Sequence, residues 1–240
     1  MDNPIGKPLK VQYRHEIEKL RKMTFKEKIK YIWEYYRIHI VVLVIIFSVI
    51  GSLINVWFIN PPAEPVLTIA WSSGFIMDEQ LRDLEDILAE QLADEAENES
   101  VDVISLLTGG DDPQMHMAYV TRLMAMVAAR QIDIFVLDSE MLTDHSNSGL
   151  IQPMESILSE IQAANPAVYA LIEERIVYIT YEIEEEGPQE NIMAIDVMGS
   201  PLFRKLDMAS GFFGAEAYFS VAVTTERHEN VVNTLIMFFE

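Results

Sequence analysis

The 240-residue chain carries 17 Lys/Arg against 38 Asp/Glu and no cysteine, which excludes disulfide bracing, thiolate nucleophiles and zinc–thiolate centres. The charge is split: residues 1–39 hold ten Lys/Arg against five Asp/Glu, whereas the rest of the chain holds seven against 33, with no lysine between Lys30 and Lys205. So acidic a surface repels nucleic acid and anionic lipid, and nucleic-acid binding leaves the set of functions open to it.

Near the N-terminus, Pro4 and Pro8 keep the first residues out of a helix. Thr24-Phe25-Lys26-Glu27 then fits a capping box, and Phe25, Ile29, Ile32, Trp33 and Tyr36 recur at helical spacing with Lys26, Lys28, Lys30 and Arg37 between them. Residues 1–39 therefore read as a basic cytoplasmic segment ending in a juxtamembrane amphipathic helix. Residues 40–59 carry no charge and only Ser48, Ser52 and Asn55 as polar interruptions. At about 1.5 Å per residue they cover about 30 Å, the thickness of the bilayer's hydrocarbon core, and predict a transmembrane helix. The Lys/Arg excess before this span places the N-terminus in the cytoplasm and the remainder outside the cell membrane. Tyr31, Trp33, Tyr35, Tyr36 and Arg37 are expected at the inner interface and Trp57 at the outer one, with the lipid bilayer as first partner. A long leader and the lack of a small-x-small site at Asn60-Pro61-Pro62 argue for an uncleaved signal anchor over a cleaved signal peptide.

Residues 60–65 hold three prolines and predict a stiff linker. Beyond it, residues 66–240 alternate strand and helix patterns. Strands are predicted over 66–71, 101–107 and 132–138, and helices over 78–93, 113–130 and after Pro153. Asn165 is expected to cap a short helix; strands 177–183 and 192–197 are expected to be joined by a polar loop. A last strand over 218–223 precedes a closing helix capped by Thr225, with Val231, Leu235 and Phe238 facing inward. Successive βα units predict one acidic α/β domain built on a mainly parallel, mixed sheet, preceded by the amphipathic and transmembrane helix.

Residues 132–154, IDIFVLDSEMLTDHSNSGLIQPM, resemble a stretch common in type II extracellular solute-binding proteins, and the ending YFSVAVTTERHENVVNTLIMFFE resembles that family's late strand followed by a helix ending in paired aromatics. The resemblance implies one lobe of such a protein and a small-molecule ligand; the domain has no length for the second lobe that a closing clamshell needs. Residues 28–39 further resemble a segment of single-pass membrane proteins of bacteria, which implies location.

In an open α/β sheet, ligands bind beyond the carboxyl ends of strands. That rule selects Ser72, Ser73 and Gly74, then Gly109, Gly110, Asp111 and Asp112, then Asp138 and Ser139, all expected on one edge. The glycines admit close backbone approach, while Asp111 and Asp112 oppose an anion and suit a cation or amine; turn and cap roles are the alternative for the same residues. The acid clusters Asp94-Glu95-Glu97-Glu99 and Glu182-Glu184-Glu185-Glu186 lack calcium-loop spacing and read as solvated loops. Met115-His116-Met117, with Met124 and Met126, offers soft ligands, but helical residues two apart face apart, so the methionines are assigned to core filling. With no HExxH, G-x-S-x-G, P-loop or GxGxxG, no catalytic residue, metal or cofactor is assigned. The expected function is a non-catalytic, membrane-anchored extracytoplasmic binding or interaction domain, accessory to a transporter or cell-envelope complex through a membrane or envelope protein partner. A one-lobe sensor of a cation or small molecule is the alternative, and a surface hydrolase the third.

Overall fold

Thr24 starts the first helix as its spacing to Glu27 predicts: its backbone N–H and its hydroxyl both donate to Glu27 Oε2, at 2.9 and 2.8 Å. The computed structural model describes residues 21, 24–72, 76–106, 113–183, 187–208 and 216–240, in two units, residues 1–62 and residues 63–240. In the first unit, α1 (Phe25–Ile54) runs without a break from the amphipathic turns into the apolar stretch and ends in a π-helical turn, Asn55–Ile59. Asn60 N–H donates to Asn55 O at 2.7 Å, and Pro61 and Pro62, which have no N–H to offer, end the helix there. Tyr36–Ile59 is long and apolar enough to cross a membrane, with a mean hydropathy of 2.6 and none of its most apolar window buried. Trp33, Tyr36, Arg37 and Trp57 are exposed along this rod; the side chains of Tyr31 and Tyr35 lie outside the described residues.

The second unit is an α/β fold. Its strands are β1 (Glu64–Trp71), β2 (Glu99–Ser105), β3 (Ile134–Leu137), β4 (Ile151–Gln152), β5 (Ile176–Ile183), β6 (Gly187–Asp196) and β7 (Tyr218–Ala222). Its helices are α2 (Asp78–Leu92), α3 (Pro113–Ala128), α4 (Ser139–Asn147), α5 (Glu155–Ala164), α6 (Pro166–Glu173), α7 (Pro201–Lys205) and α8 (His228–Phe239). One sheet takes the order β2-β1-β3-β7-β6-β5, with β4 also on β7. β1 pairs in parallel with β2 and β3; β7 runs antiparallel to β3, β4 and β6, and β5 antiparallel to β6. Five of the seven strands, all but β5 and β7, thus point the same way, and the sheet is mixed and mostly parallel.

Strand alternation divides the core into two faces. Leu67, Ile69 and Trp71 of β1, Ile134 and Val136 of β3, and Phe219 and Val221 of β7 meet the apolar stripes of α2, α5, α6, α7 and α8. Ala70, Phe135, Leu137 and Ala222 point the other way, where α3 supplies Tyr119 and Leu123 and α4 supplies Leu142. Val231, Leu235 and Phe238 are fully buried, as the pattern of the closing helix predicts.

Three expectations change. Residues 187–191, expected in the loop between two strands, belong to β6, paired with β5. Residues 139–147, for which no element is predicted, form α4, because Asp138 Oδ1 accepts from Met141 N at 2.8 Å and caps it. Thr225 does not cap α8, which begins at His228; its hydroxyl donates to Asp133 Oδ1 at 2.6 Å instead.

Asp133 is the hub of the amino edge. Its side chain is 1% exposed, and Oδ2 accepts from Thr68 N and from Arg227 Nη1, both at 2.8 Å. Its backbone adds Asp133 N to Thr68 O at 3.0 Å and Ala222 N to Asp133 O at 2.9 Å, so one residue ties β1, β3, the end of β7 and the approach to α8. Removing one member of a buried, hydrogen-bonded ion pair costs about 3–5 kcal/mol. Asp133→Ala should therefore lower the melting temperature of the chain by about 10 °C, at about 2–4 °C per kcal/mol, as read by circular dichroism; a change of a degree or two would contradict the hub.

Candidate functional site

β1 and β3 end side by side at the opposite edge, where Ser72 N donates to Val136 O at 2.9 Å and Leu106 N to Trp71 O at 2.8 Å. β7 starts there and β6 ends there, because Tyr218 is the register partner of both Leu137 and Asp196. Ser72, Asp138 and Ser139 are thus brought to one edge, as the sequence predicts. Asp138 is committed in part to capping α4, and Ser139 N donates to Glu216 Oε2 at 3.3 Å. Ser73, Gly74, Gly109, Gly110, Asp111 and Asp112 lie outside the described residues.

Under α3 and α4, Ser72 Oγ, Tyr119 Oη, His145 Nε2 and Ser220 Oγ are all buried without a hydrogen-bond partner. Their residues are 6, 7, 3 and 0% exposed. Alternation assigns them to one face: Ser72 follows Ala70 in phase, Ser220 lies between Phe219 and Val221 and is paired with Phe135, and His145 stands edge-on to Phe135 with ring centroids 5.1 Å apart. A buried polar group left unsatisfied costs about 1–3 kcal/mol. Four such groups on one face are hydrogen-bonding positions that a polar ligand or ordered water can fill.

Burial pushes the Tyr119 phenol above its ordinary value of 10.0; hydrogen bonding toward the neighbouring Ser72 hydroxyl acts the other way, and the Asp138 and Asp144 carboxylates add to the rise. Tyr218, at the start of β7, is raised by burial first and then by Glu216 and Asp196. The phenols are therefore neutral, the surroundings acidic, and Arg175, near this edge, is turned to Asp196 at 3.8 Å. Neutral hydroxyls and carboxylates suit a cation, or an amine with N–H groups to donate.

Two grooves elsewhere on the domain lack these features. A groove of about 490 Å³ between α2 and β2 is lined by Glu85, Glu90 and Glu99, but Glu85 Oε1 already accepts from Val103 N at 2.8 Å. One of about 390 Å³ lies among α2, α7 and α8, with Lys205 on its rim. The Asp94–Glu99 acids fold into a turn, Asp94 N donating to Glu99 Oε2 at 2.8 Å, and no cluster of three metal-binding side chains occurs among the described residues.

No protein family, curated protein or solved structure matches this chain. The chemistry of the edge rests on its own residues. Of these, Ser72 and Asp138 were visible as strand-end positions. Tyr119, His145 and Ser220 were not, because a hydroxyl or imidazole at an inward position carries no mark of whether the fold will supply its partner; the inward helical spacing of Tyr119 and Leu123 was the one available signal.

His145 yields a pH test. Burial pushes its imidazole below its ordinary value of 6.5, against a hydrogen bond to the Met141 backbone and the Asp144 and Asp138 charges. The folded chain then takes up a proton less readily than the unfolded one, so stability is lost as pH falls from 6.5 toward the folded value. His145→Leu should remove that loss: its melting temperature should gain on the native chain between about pH 7.5 and about pH 5.5, and parallel pH profiles would contradict the assignment.

Proposed function

We propose that the protein is a single-pass, membrane-anchored binding domain, with its N-terminus cytoplasmic and its acidic domain extracytoplasmic, that holds a small cationic or amine-bearing ligand under α3 at the carboxyl edge of the sheet. The observation that carries this reading is the group of buried polar atoms, Ser72 Oγ and Tyr119 Oη beside each other above all, on the face covered by α3 and α4. Stability alone does not favour such a group, since apolar replacements of the same shape are neutral or stabilising; a ligand that fills the hydrogen bonds gives it a use. The role is non-catalytic: the chemistry present, neutral hydroxyls and capped carboxylates, holds and orients a donor. Orientation follows from the ten Lys/Arg of residues 1–39, nine of them before Tyr36 and Arg37 in the first turn of Tyr36–Ile59. The resemblance of residues 132–154 to solute-binding proteins agrees with a small ligand, here met by one lobe.

One experiment separates the two halves of this reading. Protonated di- and polyamines, which the bilayer excludes, should raise the melting temperature of the chain in intact cells. Ser72→Ala and Tyr119→Phe should abolish that rise while leaving the unliganded melting temperature unchanged or higher, because each removes an unsatisfied group. A shift seen only after the membranes are opened would contradict the orientation. No shift in either preparation would contradict the ligand site.

A further inference from the structure

The ring of His145 is bonded to the backbone of Met141, one turn earlier on α4. Met141 N already donates to Asp138 Oδ1, so the group that the ring meets is the Met141 carbonyl. Nε2 has no partner, which leaves the proton on Nδ1 and the lone pair on Nε2. The hydroxyls of Ser72, Tyr119 and Ser220 turn to donate or to accept; Nε2 only accepts. Its residue is 3% exposed and edge-on to Phe135, which stands in register between Ala70 of β1 and Ser220 of β7. Tyr119 and His145 feel the same two carboxylates, Asp138 and Asp144, so the acceptor lies in the neighbourhood of the Tyr119 phenol.

We infer that His145 Nε2 receives an N–H of the ligand held under α3, and that protonation of this ring expels the ligand. This rests on the proposed amine site and adds the residue that makes its occupancy depend on pH. An ammonium brings hydrogens and no lone pair, so a neutral imidazole with a fixed acceptor suits it. The imidazolium places a hydrogen where the ligand's would lie and a second positive charge in a site withdrawn from water. The titratable groups on this face are Asp144 of the same helix, Asp138 at the end of β3, and the neutral phenols of Tyr119 on α3 and Tyr218 on β7. β5, packed on α4, presents Val177 and Ile179; β4 presents Ile151, and β7 adds Ser220 and Ala222. The two carboxylates attract proton and ligand alike, whereas burial opposes the proton, so at neutral pH Nε2 is open to the ligand.

The test is isothermal calorimetry of the detergent-solubilised full chain with diaminobutane, between about pH 8 and about pH 5. For the native chain Kd should rise about tenfold for each pH unit below the imidazole's own titration, with up to one proton released per amine bound, read from buffers of different ionisation heat. His145→Gln keeps a neutral acceptor that does not titrate, and its Kd should stay nearly level. His145→Leu removes the acceptor and should weaken binding about tenfold at about pH 7.5. Asp138 and Asp144 are unchanged in both variants, so any contribution of theirs is common to all three chains. Equal pH dependence in the native chain and His145→Gln, or native binding with no proton released at any pH, would overturn the inference and leave the amine site standing; proton release decides even where a variant fails to fold. Absence of binding by the native chain at every pH would overturn the amine site and this inference with it.

Discussion

One buried carboxylate sets the geometry on which the acidic domain depends. Asp133 lies at the entry to β3 with its charge removed from water, and it is satisfied from three directions: the Thr68 amide of β1, the Thr225 hydroxyl and the Arg227 guanidinium. Since a lone buried charge is untenable, β3 holds its place only where those donors converge. The same contacts bring the end of β7 beside the start of β3, and so install an antiparallel strand in the middle of the sheet. With the amino edge closed by this knot, Ser72, Asp138 and Tyr218 are carried to the opposite edge, where the polar groups of the α3–α4 face have no partners.

Much of the fold was legible because it is local. The apolar, charge-free run after a basic segment sufficed for the span, and Thr24 and Glu27 for its start. Period-two and period-3.6 patterns located most strands and helices to within a few residues. Strand order was harder: β7 inserts beside β3 because of Asp133, Thr225 and Arg227, residues 92 and 94 positions apart whose meeting no local pattern announces. α4 was missed since Ser139–Asn147 is short and polar on its outer side, and its cap, Asp138, reads equally as a loop residue. Of the α3 methionines assigned to core filling, Met126 packs against the core, but Met115, Met117 and Met124 are exposed: composition says that they are apolar, whereas exposure depends on which residues dock that helix, Tyr119 and Leu123 being the buried ones.

Electrostatics unites the pieces. A basic segment, an uncharged rod and an acidic domain follow one another along the chain. Within the acidic domain the exception that carries the functional proposal is the inner face of α3, with neutral hydroxyls beside carboxylates.

The most direct test of the account is hydrogen exchange of the full-length chain with and without a di- or polyamine. The account predicts new protection confined to the segments around Ser72, Tyr119 and Asp138, with the amides of Thr68 and Ala222 at the Asp133 knot equally protected in both states. Protection appearing instead at the α2–β2 acids, or spread evenly over the acidic surface, would contradict it.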